Sequence, residues 1–292
     1  MSEKGKCGGS AGCGSGGCNA SGGCSGNCES CGEKGSPKQR IEEAMSRVKR
    51  KIVVLSGKGG VGKSTVAVNL AFALAATGAK VGLMDVDIHG PSAPKMLNLD
   101  GMTLASNGEK IIPVEVGTLK VVSLAFLLQN PDDAVIWRGP VKLGVIRQFL
   151  SDVDWGDLDY LVVDTPPGTG DEPLTVCQIL KDAGAVIVTT PQEVSAADVR
   201  KSVSFCRQLE LNILGIVENM SGFVCPHCGE VTEIFAGGAG ETIAEKYGIP
   251  LLGKIPIDPA VSAGGDAGDP FARINSETPA AKAFAGVVKA IR

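Results

Sequence analysis

Ile52-Val53-Val54-Leu55-Ser56-Gly57-Lys58-Gly59-Gly60-Val61-Gly62-Lys63-Ser64-Thr65 is the stretch that decides the fold. Residues 52–56 are a β-branched apolar run, which reads as a buried strand. Residues 63–77 are apolar on most sides and close on Gly78, which reads as a buried helix with a glycine stop. Between them Gly57 to Ser64 fits G-x-x-x-x-G-K-[ST] in full. Gly57, Gly59, Gly60 and Gly62 let the backbone around Lys58 and Val61 wrap a phosphate with successive N–H groups pointing inward. The helix start at Lys63, Ser64 and Thr65 adds the positive end of its dipole. Lys63 is expected to reach the β- and γ-phosphates, and the Ser64 hydroxyl to take a Mg²⁺ position. A glycine-rich turn without a ligand is the other reading, and the flanking strand and helix speak against it.

The same alternation continues outward. Residues 81–85, 119–124, 160–164, 185–190, 213–218 and 251–255 read as further short strands, and residues 141–150 and 196–209 as helices. Ser195 with Asp198 three residues on resembles a capping box for the second of these helices. Apolar strands separated by helices predict an α/β fold: a three-layer, mostly parallel sheet with helices on both faces. In such a fold the functional groups lie at the carboxyl ends of the strands. Two strands end in acid. Asp85-Val86-Asp87 follows one, and Asp164-Thr165-Pro166-Pro167-Gly168 follows another. A phosphate-bound Mg²⁺ needs carboxylates beyond its first shell, and a hydrolytic water needs an orienting base. Asp164 is assigned to Mg²⁺ and Asp87 to the water; the alternative is that either caps a following turn.

The first 36 residues differ from the rest, being mostly glycine, serine and cysteine. Such a segment cannot bury enough apolar surface to offset its ordering entropy. The sequence therefore divides into a tail, 1–38, expected to stay disordered without a ligand, and a nucleotide-binding domain, 39–292. The tail carries Cys7, Cys13, Cys18, Cys24, Cys28 and Cys31, six of the ten cysteines. A metal could order part of it, since ligation supplies free energy that a core cannot.

The net charge is −4, which gives no electrostatic footprint for nucleic acid. The basic cluster Arg47, Lys49, Arg50 and Lys51 reads as a solvated flank of the first strand. There is no apolar run long enough to span a membrane and no secretory h-region, so a cytoplasmic protein is expected. Thiols stay reduced there, and ten cysteines point to metal or redox chemistry rather than disulfides. Cys225-x-x-Cys228 supplies two thiolates that can clamp one edge of a soft metal site. One such pair makes half of a four-thiolate site, and a twofold axis through it would supply the rest. Four readings stay open for it: a bridging iron–sulfur cluster, a Cys₄ zinc, a thiol redox pair, or structural cysteines. His227 between them could ligate, but reads better as an exposed bystander. Cys177 and Cys206, within apolar helical stretches, read as buried core thiols.

Lys58 is a second lysine that the generic pattern does not require. With it, Lys58-Gly59-Gly60-Val61-Gly62-Lys63-Ser64 resembles the deviant Walker A of the MinD/ParA-type dimeric ATPases. The resemblance implies a homodimer with ATP at the interface and Lys58 acting on the partner's nucleotide. Asp85-Val86-Asp87-Ile88-His89-Gly90-Pro91-Ser92, Trp137-Arg138-Gly139-Pro140, Asp164 to Asp171, Glu218-Asn219-Met220-Ser221 and Cys225-Pro226-His227-Cys228 follow in order. Together they resemble the Mrp/ApbC-type iron–sulfur cluster carriers over about residues 40 to 290. That family implies ATP hydrolysis coupled to carrying a [4Fe–4S] cluster from an assembly scaffold to apo iron–sulfur proteins. It implies that Asn219 contacts the adenine and that two subunits share a cluster through Cys225 and Cys228. Some relatives hold a second cluster on a tail ending Cys-x₂-Cys-x₅-Cys. Here Cys28-x-x-Cys31 matches its middle, but Pro37 stands where the last cysteine belongs. Metal binding at other spacing, thiol donation during transfer, and a plain low-complexity tail stay open.

Two other functions compete. A MinD- or ParA-like spatial regulator would work at a membrane or on DNA. Phe284, Val287, Val288 and Ile291 at helical spacing could bind a membrane surface, although packing against their own domain is the simpler reading. An ATP-driven reductase resembling the nitrogenase iron protein would need lone cysteines beside the acidic strand ends, and none lies between Asp87 and Cys177.

Overall fold

The computed structural model describes residues 36–88, 90–128, 137, 139–225, 227–235, 237–269 and 277–292. Cys28, Cys31 and the other tail cysteines, with the tail's metal assignment, lie outside the described residues.

The first element among the described residues is a helix, α1 (Pro37–Ser46), over a stretch to which the sequence reading gave no secondary structure. Ser36 and Gln39 form a reciprocal capping box, with Pro37 in the first turn. The folded domain thus begins before residue 39. It continues β1 (Val48–Ser56), α2 (Lys63–Ala76), β2 (Val81–Asp85), α3 (Ala93–Met96), β3 (Ala105–Ser106), β4 (Ile111–Ile112), β5 (Val114–Val116) and β6 (Leu119–Ser123). A 3₁₀ turn (Leu124–Leu127) precedes α4 (Gly139–Ser151), β7 (Leu158–Asp164), α5 (Asp171–Ile179), β8 (Gly184–Thr189) and α6 (Glu193–Gln208). Last come β9 (Asn212–Val224), β10 (Val231–Thr232), α7 (Ala239–Tyr247), β11 (Leu251–Ile257), α8 (Pro259–Ala267) and α9 (Pro279–Ile291).

Nine strands form one sheet in the order β10-β9-β8-β1-β7-β2-β6-β5, with β11 also paired to β9. The central strands are parallel, and β5 and β10 add antiparallel pairings at the two ends. This is the expected α/β class. β1 lies between β7 and β8, and its residues from Lys51 to Ser56 are all buried. Helices pack on both faces, giving two apolar cores. One contains Phe149, Trp155, Cys177 and Cys206; the other lies under α2 and α9. Cys177 and Cys206 are buried core thiols, as their apolar setting suggested.

α9 buries Phe284, Val287, Val288 and Ile291 in the core shared with α2 and β11. Its apolar stripe is therefore spent within the domain. Among the described residues no helix is long and apolar enough to cross a membrane.

Two local readings need correction. α6 starts at Glu193 with Gln192 as its N-cap, so Ser195 is no cap. Ser195 is buried inside the first turn, with its Oγ 2.8 Å from Thr190 Oγ1. The basic cluster is not wholly a solvated flank. Arg47 and Lys49 do form exposed pairs with Asp157 and Asp159. Lys51, however, is buried, with Nζ donating to Asp182 at 2.6 Å and to the Val48 carbonyl at 3.2 Å.

Candidate functional site

The turn after β1 carries the phosphate loop. Gly62 takes φ +79° as the N-cap of α2, and a Cβ there would collide with the Asn219 side-chain amide. Only glycine meets both demands. Having no side chain, it leaves the first amides of α2 available to an anion. Gly59 and Gly60 at the tip are exposed; Lys58, Ser64 and Thr65 are half-buried; Val61 and Lys63 are buried.

Lys63 is the hub. Its Nζ donates to Asp164 Oδ1 at 2.5 Å and to Ser64 Oγ at 3.1 Å, and lies 4.0 Å from Asp87 Oδ2. The sheet register brings these groups together. Asp164 ends β7 and pairs with Asp85 at the end of β2, while Val54 of β1 pairs with Asp164 from the other side. Asp164 and Asp87 thus both lie beside the phosphate loop, as their strand-end positions suggested.

Asp85 also belongs to this site, although the sequence reading gave it no role. It is fully buried, and accepts from the Asp87 amide at 3.0 Å, the Ala93 amide at 3.4 Å and Ser123 Oγ at 3.2 Å. Burial, and then the Asp164 charge beside it, push its carboxyl up to about 8. Burial likewise raises the Asp164 carboxyl, against the opposing pull of Lys63. The signal for Asp85 was its place in Asp85-Val86-Asp87; what the sequence lacked was Ser123, contributed by β6.

Asp164 and Asp87 thus approach the Lys63 ammonium, and Asp85 lies beside Asp164. Asp164 Oδ2 is buried without a hydrogen-bond partner. A buried carboxylate oxygen is costly to leave unsatisfied. The Asp164 carboxylate with its orphaned oxygen and the neighbouring Ser64 hydroxyl together suit a hydrated divalent cation such as Mg²⁺.

Beside the loop lies a cavity of about 460 Å³, lined by Thr65, Asn219, Met220, Phe235, Pro256 and Val261 among others. Its volume suits a nucleoside base and its walls are mainly apolar. Asn219 is buried, and its Nδ2 donates to the Val61 carbonyl at 2.9 Å, joining β9 to the phosphate loop. Pro256 and Ile257, at the end of β11, were not singled out by the sequence, because an apolar wall looks like any core strand. Lys58 Nζ lies 3.5 Å from Oε1 of Gln192, the N-cap of α6 in the loop after β8. Gln192 had no sequence signal at all.

The sequence ended the strand before Cys225 at Glu218, but β9 runs on to Val224. With β10 it forms a hairpin whose turn holds Cys225 and Cys228. The Cys225 amide donates to the Glu230 carbonyl, and the Gly229 amide to the Cys225 carbonyl, both at 2.9 Å. The Cys228 amide, then the His227 amide, hold the Cys225 thiol below its ordinary pKa. A turn that points amides at a thiolate is prepared for a soft metal. Cys225 is half-buried, while His227 and Cys228 are exposed. Among the described residues no further His, Cys, Asp or Glu completes a metal-binding group with Cys225 and Cys228.

A phosphate loop between parallel strands, flanked by acidic strand ends and a base-sized cavity, defines a P-loop NTPase of the MinD/ParA type. The nucleotide-binding protein of Archaeoglobus fulgidus, solved with ADP, is 43% identical and superposes with a TM-score of 0.73, over 84% of this chain and 95% of that one. The MinD cell-division ATPase of Pyrococcus furiosus is 28% identical with a TM-score of 0.61, over 83% of this chain and 98% of that one. Within this class the chain belongs to the ParA-type family of NUBPL iron-transfer P-loop NTPases, whose model matches residues 47–292. An iron–sulfur cluster carrier protein of Methanocaldococcus jannaschii is 48% identical over 92% of this chain and 96% of its own length. The Mrp/ApbC-type resemblance is thereby borne out.

Proposed function

We propose that this protein is a Mg²⁺-dependent ATPase whose homodimer carries a [4Fe–4S] cluster, as cargo, between an assembly scaffold and apo iron–sulfur proteins. The observation that carries the proposal is β9, a single strand that lines the nucleotide cavity with Asn219 and delivers Cys225 to an exposed, amide-lined turn. Family membership supports the cargo, and the relative named for cluster carriage covers nearly the whole chain.

In this reading the phosphate loop, Gly57 to Thr65, wraps the triphosphate, and Asn219 faces the adenine. Ser64 and Asp164 hold Mg²⁺, which neutralises phosphate charge when bound. Lys63 shifts from Asp164 toward the phosphates. Asp87 orients the attacking water. Lys58 crosses to the partner's nucleotide and offsets charge on the transferring group. Cys225 and Cys228 of each copy supply two thiolates, so two copies complete a four-thiolate site.

The test is anaerobic purification with iron, sulfide and zinc analysis. The wild type is expected to be brown, with broad absorbance near ~400 nm that moves to an apo-acceptor. A Cys225→Ala/Cys228→Ala variant is expected to lose the iron held at the interface. Unchanged iron per dimer would refute this ligand assignment, and stoichiometric zinc without sulfide would replace the cluster by a zinc site. The spatial-regulator reading gains no support from α9, whose apolar face is buried.

A further inference from the structure

Between Asn219 and the cysteine turn, β9 bends. Met220 takes φ +59°, a left-handed conformation unusual for a residue with a side chain. Glu218 spans the bend. It is buried; Oε1 accepts from Ser221 Oγ at 2.8 Å, and Oε2 accepts from the Gly240 amide at 2.9 Å, in the first turn of α7. A carboxylate at a helix start is favoured by the dipole as well as by the amide. The contact depends on Gly240, because a Cβ there would lie 2.8 Å from Glu218 Oε2.

The other foot of the hairpin is also fixed. Gly237 forms an antiparallel bridge with Gln192, and the Gly238 and Ala239 amides donate to the Pro191 carbonyl at 3.0 and 3.1 Å. Gln192 is the residue that meets Lys58. The hairpin is thus joined to the phosphate loop twice: through Asn219 to Val61 on one side, and through Gln192 to Lys58 on the other. α7 begins directly after the second attachment, and Glu218 ties its first turn to β9.

We propose that Glu218 is a positioning residue that couples nucleotide occupancy to the Cys225/Cys228 turn. By locking the Met220 bend against the start of α7, it makes the Asn219 amide and the thiolate pair shift together when a nucleotide enters. This rests on the reading of the cavity as a nucleotide site and of the turn as a metal-binding thiolate pair.

The test uses the full-length, reduced, metal-free protein. Iodoacetamide labelling of Cys225 and Cys228 is followed by peptide mass spectrometry with and without Mg²⁺ and ADP, alongside direct ADP binding. In the wild type, ADP is expected to change the labelling rate by about fivefold or more, the low end of allosteric couplings. Glu218→Ala is expected to bind ADP yet lose this response. Glu218→Gln, which can still accept from Gly240 and donate to Ser221, is expected to keep it; a purely electrostatic role would not be rescued. Ser221→Ala removes one bond across the bend and decides the matter if Glu218→Ala fails to fold: its response is expected to fall by at least about half. A full response in Glu218→Ala or Ser221→Ala overturns the proposal. So does an unresponsive wild type that binds ADP, and if that protein still turns over ATP and carries iron, the proposed function stands without this coupling.

Discussion

Asp85 and Asp164 stand opposite each other at the ends of neighbouring parallel strands, both fully buried, beside the Lys63 ammonium. Two buried carboxylates so placed cannot both ionise cheaply. Burial and the Asp164 charge hold the proton on Asp85 up to about 8, against an ordinary value of 3.8. The folded state therefore binds more protons than the unfolded chain across that interval. Its stability contribution is greatest at or below pH 3.8 and declines as pH rises toward 8, then levels off.

Asp85→Asn removes that titration while keeping one acceptor for the Asp87 amide. Thermal unfolding of the nucleotide-free protein between pH 5 and pH 9 is expected to show a shallower decline for the variant. At the alkaline end the variant is expected to melt higher, by about 2–4 °C for each kcal/mol in a chain of this size. Parallel curves for the two proteins would mean that Asp85 titrates normally.

The two lysines of the loop are expected to fail differently. In the proposed reading Lys63→Ala removes a charged hydrogen-bond donor to the phosphates, and it should weaken nucleotide binding by about 10–100-fold, ~1.5–3 kcal/mol. It also leaves Asp164 buried without that ammonium, so unfolding is followed in parallel. Lys58→Ala should leave affinity unchanged but lower kcat by about 10³-fold, the scale of a cation supplied across an interface. Equal loss of binding in both variants would place Lys58 in its own subunit's site.

The cysteines are expected to react in a fixed order. Burial pushes the thiols of Cys177 and Cys206 up to about 12, whereas the amides of Cys228 and His227 hold Cys225 below its ordinary value. A lower thiol pKa means more thiolate at neutral pH, and thiolate is the reacting form. Brief alkylation of the native, metal-free protein at pH 7 should modify Cys225 and leave Cys177 and Cys206 untouched until denaturant is added. Labelling of Cys206 at the rate of Cys225 would contradict the buried assignment.

What the sequence made legible was local. The phosphate loop and the central strands announce themselves because glycine spacing and apolar runs need no distant partner to be read. Ser195-x-x-Asp198 misled because the same spacing occurs inside a helix; there the Ser195 hydroxyl meets Thr190 on the preceding loop. The second half of β9 was missed because Asn219-Met220-Ser221-Gly222 is polar and bent, and becomes strand only by pairing with β11 and β10. Asp85 and Gln192 entered the site through the register of β2 on β7 and the packing of the loop after β8, neither of which has a linear signature. The helix α1 did carry its signal in Ser36-Pro37-Lys38-Gln39, hidden by the low-complexity stretch before it.

The C-terminal helix gives the sharpest separation between a soluble carrier and a membrane-bound switch. Phe284 is buried in the core beneath α2 and β11 rather than presented on a free apolar face. Phe284→Ala should therefore create a cavity and cost about 3–5 kcal/mol of stability, as for other buried phenylalanines. A membrane anchor behaves in the opposite way: truncating its apolar residue leaves the fold intact and releases the protein from lipid. Chemical denaturation of Phe284→Ala, with co-sedimentation of the wild type on anionic vesicles in the presence of ATP, distinguishes the two. A large drop in the unfolding midpoint with no lipid binding by the wild type is the expected result. Unaltered stability together with ATP-dependent pelleting would mean that α9 detaches from the domain to work at a membrane.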